Sequence, residues 1–355
     1  LVPTAVSGGG SWKQVSAGGI HTCGIKSDDS LWCWGGNISG QLGDNSTTDR
    51  LVPTSVHGGG GWRLVASSYM STSHTCGIKS DDSLWCWGSN SFGQLGDNST
   101  TQRLVPTAVS GGGTWKQVAT GAASLNGHSS CGIRGDGSLH CWGSNIASQV
   151  GNNYTTRRFV PTAIFGGGTW KQVGAGNSYT CGIKSDDSLH CWGFNGNGQL
   201  GDNSMTDRLI PTAVDGGGLW KQLSAAGGFF HHSCGIKSDG SLHCWGSNVD
   251  GMTGLNTTTG NSLVPTAING GGSWMQVVAG RSHSCGVNLP EGSLWCWGNN
   301  SNGALTATEF SATYRMTGVP TVCSDPTGTA GTMIYNADLN VMQYCDGVGW
   351  VKVGK

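Results

Sequence analysis

The chain of 355 residues carries 63 glycines, 16 tryptophans and 14 cysteines, with 19 Lys and Arg against 20 Asp and Glu, a net charge of −1. So much glycine beside so few strong helix formers excludes an α-helical or α/β protein. Balanced charge leaves no basic field for nucleic acid or anionic lipid, and no apolar run approaches the roughly 20 residues of a membrane-spanning helix.

The opening residues, Leu1-Val2-Pro3-Thr4, are the middle of a unit that recurs as LVPT at 51–54 and 104–107. The unit begins at Trp12, Trp62, Trp115, Trp170, Trp220 and Trp274, at spacings of 50 to 55 residues. Fifteen of the 16 tryptophans fall in three slots of this unit, and Trp350 alone lies outside. In chain order each unit reads as four strands. In the first, 12–15 is β-like, and 22–26 and 31–34 flank the hairpin-turn signal Ser27-Asp28-Asp29-Ser30. The fourth, 51–56, carries Pro53, which suits an outer strand. Four short strands per 50 or so residues is the arithmetic of a propeller blade. The fold expected is an all-β propeller over residues 1–318, with six visible repeats.

The sixth copy departs from the pattern: Asn299-Asn300-Ser301-Asn302-Gly303 replaces the GQLG loop, and its last strand is matched only weakly by 315–319. The segment 319–355 is not a further copy. It reads as three strands, 332–335, 341–345 and 350–353, and lacks a fourth, while 1–6 is a fourth strand lacking three. A seventh, composite blade would satisfy both exposed edges.

These residues resemble a known family. Ala17-Gly18 with His21-Thr22, the Asp-Gly-Ser-Leu turns, Trp34-Gly35 with Asn37, and Gly40-Gln41-Leu42-Gly43-Asp44 are similar to the regulator-of-chromosome-condensation repeat, over residues 1 to about 318. The cysteine-bearing, bacterial secreted members look nearest, and the C-terminal segment resembles short modules of bacterial surface and fibre proteins. The resemblance implies a propeller, mostly of seven blades, and transfers the fold better than any function.

Five copies contain Cys-x9-Cys: Cys23/Cys33, Cys76/Cys86, Cys131/Cys141, Cys181/Cys191 and Cys234/Cys244. The sixth, Cys285/Cys296, has one more residue in a longer turn, and Cys323 and Cys345 would form a seventh pair. A turn with a left-handed residue at Asp29, Gly137 or Gly240 sets Ile25 opposite Leu31 and Cys23 opposite Cys33. Cysteines opposed at a non-hydrogen-bonded site can be bridged. The competing reading is zinc, drawing on His21, His74, His128, His232 or His283. The spacing lacks the short structural-zinc knuckle, and copy four keeps its cysteines while replacing the histidine with Tyr179. Disulfides place the protein in an oxidising, extracellular or surface setting. No metal or cofactor is expected.

Most candidate catalytic groups are explained by repetition. His140, His190 and His243 stand where other copies have Trp32, Trp85 and Trp295, which marks a half-exposed strand face. Histidines before the first cysteine read as structural hydrogen-bonders, and Asp28, Asp81 and Asp186 as Asx-turn formers. Neither a nucleophile elbow nor a P-loop lysine motif is present, so the chain reads as no enzyme.

The loops after the first and third strands lie on one face and vary between copies, whereas the opposite turns barely change. The first loops contribute Ile20, Tyr69, Met70, Leu125, Asn126, Asn177, Phe229, Phe230, His231 and Arg281; the second contribute Ile38, Phe92, Ile146, Phe194 and Val249. Aromatic and apolar residues on one face of a rigid scaffold fit a binding surface. The expected function is a secreted or surface recognition module for an extracellular protein or glycan, part of a larger surface or fibre assembly. A secreted lyase using His231, His232 and Arg281, an enzyme-inhibitor propeller and a structural fibre subunit are the alternatives.

Overall fold

A computed structural model describes residues 5–70, 73–121, 127–228, 231–301 and 305. Beyond these it describes the backbone of strands Tyr314–Arg315, Val322–Ser324, Thr327–Thr329, Met333–Asn336, Val341–Cys345 and Trp350–Val353. Six four-stranded antiparallel sheets follow one another in the chain, each meandering from an inner to an outer strand, and form a ring. Blade one comprises Trp12–Ala17, His21–Lys26, Leu31–Gly35 and Arg50–Ser55. The inner strands of the others are Trp62–Ser67, Trp115–Gly121, Trp170–Ala175, Trp220–Ala225 and Ser273–Ala279, and each packs beside the next. Pro53 and its counterparts sit on the outer strands, where a missing amide proton costs least.

The hairpin between second and third strands has the register expected from its turn. Lys26 N donates to Ser30 O at 2.9 Å, Asp29 has φ 68°, and Ile25 pairs with Leu31 and Cys23 with Cys33. Asp28 Oδ1 accepts the amide of Ser30 at 3.0 Å, and Asp81, Asp136, Asp186 and Asp239 repeat this Asx turn.

That register brings the paired cysteines to a Cα separation of 4.1 Å, and six disulfides form. They are Cys23–Cys33, Cys76–Cys86, Cys131–Cys141, Cys181–Cys191, Cys234–Cys244 and Cys285–Cys296, the pairs expected from the hairpins. Cys33, Cys86, Cys141, Cys191 and Cys244, on the third strands, are fully buried, as are Cys23, Cys76, Cys131 and Cys234 opposite them. These cysteines are staples inside the wall and take no part in the loop face. The zinc reading is thereby overturned, because the thiols are spent in bonds to one another. Side chains of Cys323 and Cys345 lie outside the described residues, and with them the expected seventh pair.

The apolar cores lie between blades rather than within them. Ile25, Leu31, Leu42 and Val56 of blade one and the Cys23–Cys33 bridge pack against Trp62, Val65 and Trp87 of blade two, and the pattern repeats at each successive seam. The tryptophans stack edge-on in pairs, Trp62 on Trp87 at 5.7 Å and Trp115 on Trp142 at 5.9 Å. Each pair's indole N–H reaches into the preceding blade: Trp87 to Gln41 O and Trp142 to Gln94 O, both at 2.9 Å. One residue type thus supplies both the apolar bulk and the single polar handle that a buried indole must satisfy.

C-terminal to the six blades, Met333–Asn336, Val341–Cys345 and Trp350–Val353 form a three-stranded antiparallel sheet, close to the strands read from sequence. Residues 1–4, and so the expected pairing of 1–6 with this sheet, lie outside the described residues.

Candidate functional site

The inner strands end in small residues, Ala17, Ser67, Thr120, Ala175, Ala225 and Ala279, which together line the mouth of a central cavity of about 500 Å³. Six small side chains at equivalent positions keep this end of the ring open. Tyr69, Arg281 and Asn299 add to the lining from the loops, and His283 from the start of its strand. Tyr69 reaches across the mouth from blade two to blade five, where a Cβ added at Gly227 would lie 3.1 Å from its own. Backbone of Arg281 lies closer still over Gly228, so these glycines are sites of close approach. Among the described residues of the lining, the guanidinium of Arg281 supplies the fixed charge.

Loops after the third strands stand on the same face and are rigidly held. Asn37 Oδ1 accepts Leu42 N at 3.0 Å, while its Nδ2 donates to Asp44 Oδ1 and to the carbonyls of Ser46 and Thr48. Arg50 closes the loop on Asp44 at 2.6 Å. Partial burial opposes the Asp44 charge, yet hydrogen bonds from Ser46, Arg50 and Asn37 hold its carboxyl below the usual range. From this frame Ile38 (69% exposed) and Ile146 (64%) project into solvent. Phe92 and Phe194 instead fold onto the neighbouring blade's first loop, Phe92 against His128 at 6.5 Å and Phe194 against His231 at 5.1 Å.

Sequence-predicted residues divide accordingly. Tyr69 and Arg281 come together at the channel mouth, and Ile20 is exposed nearby in the ring's first loop. Met70 follows Tyr69 with a φ of 120°. His231 is largely buried, and that burial lowers its pKa to about 4, so its ring is neutral at physiological pH. Asn177, 4% exposed, donates from Nδ2 to Gly228 O at 2.8 Å and ties blade four to blade five. Leu125, Asn126, Phe229 and Phe230 lie outside the described residues. The small lining of the channel escaped sequence reading; its signal was the Ala, Ser or Thr that closes each inner strand.

Histidines before the cysteines form an inter-blade relay. Thr75 Oγ1 donates to Gln41 O at 2.8 Å, so its lone pair accepts from His21 Nε2 at 2.9 Å. His74 with Ser130 and His232 with Ser284 repeat the arrangement. Burial lowers the His21 and His128 pKa to about 4 and holds His74 well below the ordinary value. Tyr179, where copy four lacks the histidine, accepts from Ala226 N and donates to His232 O at 2.6 Å. A catalytic role for His232 does not fit this burial, since its ring is engaged with Ser284 inside the wall. Among the described residues no group of three His, Cys, Asp or Glu side chains could hold a metal.

A second recess opens on the opposite face, lined by Lys116, Asp136, Gly137, Thr169 and Lys171. Its lysines and turn residues recur in other blades as Lys13, Lys221, Asp28 and Asp186. The residues that differ most from blade to blade are those of the loop face.

The fold defines a disulfide-bonded, all-β propeller. The chain belongs to the RCC1-like domain family, whose model matches residues 1–334. It is 28% identical over 298 residues to the ultraviolet-B receptor UVR8 of Arabidopsis thaliana, covering 82% of this chain and 66% of the receptor, just under two thirds of its length. Two solved structures, each 20% identical, share the fold. Human WBSCR16 has a TM-score of 0.76 and matches 91% of this chain and 86% of its own. Yeast RCC1 (Prp20), solved with Kap60 bound, has a TM-score of 0.72 and matches 97% of this chain and 81% of its own.

Proposed function

We propose that this protein is a secreted or cell-surface recognition module of the cysteine-bearing, bacterial type, and that it binds an extracellular protein or glycan through its loop face. The observation that carries this reading is convergence: the loops that diverge between blades stand on the face where the small-lined channel opens. Tyr69 and Arg281 at that mouth are of the types enriched among interface hot spots. The exposed Ile20, Ile38 and Ile146 supply apolar surface around it. Phe229, Phe230, Leu125 and Asn126 belong by sequence to the same loops and are contact residues in this reading. Six disulfides support an oxidising compartment. The propeller is part of a larger surface or fibre assembly in this reading.

A glycan array and affinity capture from extracellular medium, each run with the wild type and with a Tyr69→Ala/Arg281→Ala variant, test the reading. The expected result is a ligand retained by the wild type and lost by the variant. A ligand held equally by both would move the site away from the channel mouth.

A further inference from the structure

The charges of this molecule are sorted by place. The chain has 20 Asp and Glu and a net charge of −1, yet none of the 20 lies in an inner strand of the six blades or in the first loop that follows one. Most sit in the hairpin turns, such as Asp28 and Asp81, and in the loops after the third strands, such as Asp44 and Asp97.

Basic residues do the reverse. Lys13, Arg63, Lys116, Lys171 and Lys221 each follow the tryptophan of an inner strand, at the end away from the mouth, and all five are exposed. Each is the extra residue of a β-bulge, where the register skips one position between the tryptophan and the residue two further on. Asp29, Asp82 and Asp187 of the hairpin turns pair with Lys13, Arg63 and Lys171. Blades three and five have Gly137 and Gly240 in that turn position and still keep Lys116 and Lys221. The cations are thus retained where no turn acid calls for them. With Arg281 at the mouth, the inner wall is electropositive from end to end in a slightly acidic chain, and a concave wall of one sign focuses its field on the space it encloses.

The mouth adds hydrogen-bonding groups to that field. Ser67 Oγ is buried there and has no hydrogen-bond partner among the described residues, a cost that an incoming polar group would relieve. Thr120, Ser282 and Asn299 bring further polar side chains, and Tyr69 brings an aromatic ring. Burial holds the His283 ring below the ordinary histidine value, so it is neutral near pH 7. Apart from Val278, the apolar part of the lining is alanine and glycine. A bound peptide strand needs pockets for alternate side chains, and this lining provides none. Its volume of about 500 Å³ is that of a small-ligand site. Hydroxyls, one aromatic ring and one guanidinium match a sugar that carries a carboxylate.

We propose that the channel mouth is a site for an acidic sugar, a uronic- or sialic-acid residue of a glycan, with its carboxylate on Arg281 and its ring and hydroxyls on Tyr69, Ser67 and Thr120. This inference rests on the loop-face reading and narrows its ligand.

The test is an array of uronate- and sialate-bearing glycans, each printed beside its methyl-esterified form, together with acidic peptides, and probed with the intact chain. The wild type is expected to hold at least one acidic glycan about tenfold or more tighter than its ester. Arg281→Gln is expected to erase that preference, and Arg281→Lys to keep part of it. Thr120→Glu, which sets a negative charge in the acid-free lining, is expected to abolish acidic-glycan binding with Tm unchanged. If Thr120→Glu fails to fold, Arg281→Gln at an exposed residue decides the matter alone. Retention of no acidic glycan by the wild type overturns the proposal. So does equal binding of acid and ester, or retention of acidic peptides instead; the loop-face reading then survives if Tyr69→Ala/Arg281→Ala loses the ligand that is bound. An acidic glycan held equally by the wild type and Arg281→Gln overturns the proposal, and one held equally by Tyr69→Ala/Arg281→Ala as well overturns both.

Discussion

The wall of the ring and the loop face at its mouth obey opposite rules. In the wall, the same residue does the same thing in blade after blade: Trp87, Trp142, Trp192, Trp245 and Trp297 all send an indole N–H to the preceding blade's carbonyl. At the mouth, the first loops hold Ile20, Tyr69, Asn177 and Arg281, with different exposures and partners. The wall is held by contacts that cannot change singly, because each side chain is fitted to the next blade. A rigid wall of this kind frees the loops to diverge without cost to the fold.

The comparison can be broken at its strongest point first. Trp142→Ala removes a fully buried indole and one of the two hydrogen bonds that Gln94 O accepts, leaving that from Ser130 Oγ, and is expected to cost about 3–5 kcal/mol in chemical denaturation. A loss under about 1 kcal/mol would mean the wall is not close-packed.

Acid tests the wall through its relay. His21 and His128 titrate near 4 in the fold but near 6.5 when unfolded, so below pH 6.5 the unfolded chain binds more protons. Stability is therefore expected to fall as pH drops from about 6.5 to about 4, by about 3 kcal/mol for each fully buried ring, and then to level off. His74→Gln, which keeps a donor but takes up no proton, should flatten the slope. A flat profile in the wild type would show that these rings are hydrated.

Disulfides staple each blade separately. Replacing Cys131 and Cys141 together with serine is expected to cost about 2–3 kcal/mol, as for other short closed loops. The equivalent changes at Cys76/Cys86, Cys181/Cys191 and Cys234/Cys244 should cost alike, since each closes the same hairpin. Binding measured at a temperature where these variants are folded should be unaffected, which sharpens the division between wall and mouth.

Much of the wall was legible in sequence. Six near-identical copies fix which positions matter, and the Asp29 and Gly137 turns fix the register that brings Cys23 to Cys33 and Cys131 to Cys141. What joins one blade to the next was not legible. Gln14 meets Val65 across 51 residues, and nothing local in WKQV distinguishes a glutamine reaching outward from one facing solvent. Asn177 illustrates the same limit at the mouth: its loop position says surface, but its amide turns into blade five to satisfy Gly228 O. The reach of Tyr69 over Gly227 likewise depends on the ring having closed around it.

The most direct measurement is the affinity of one ligand for two variants made side by side, with Tm recorded for each. Tyr69→Ala/Arg281→Ala is expected to weaken binding by about 2 kcal/mol or more with Tm unchanged, while Asp28→Ala/Asp81→Ala on the opposite face leaves affinity intact. Loss of binding in the turn variant with full affinity in the loop variant would contradict the account.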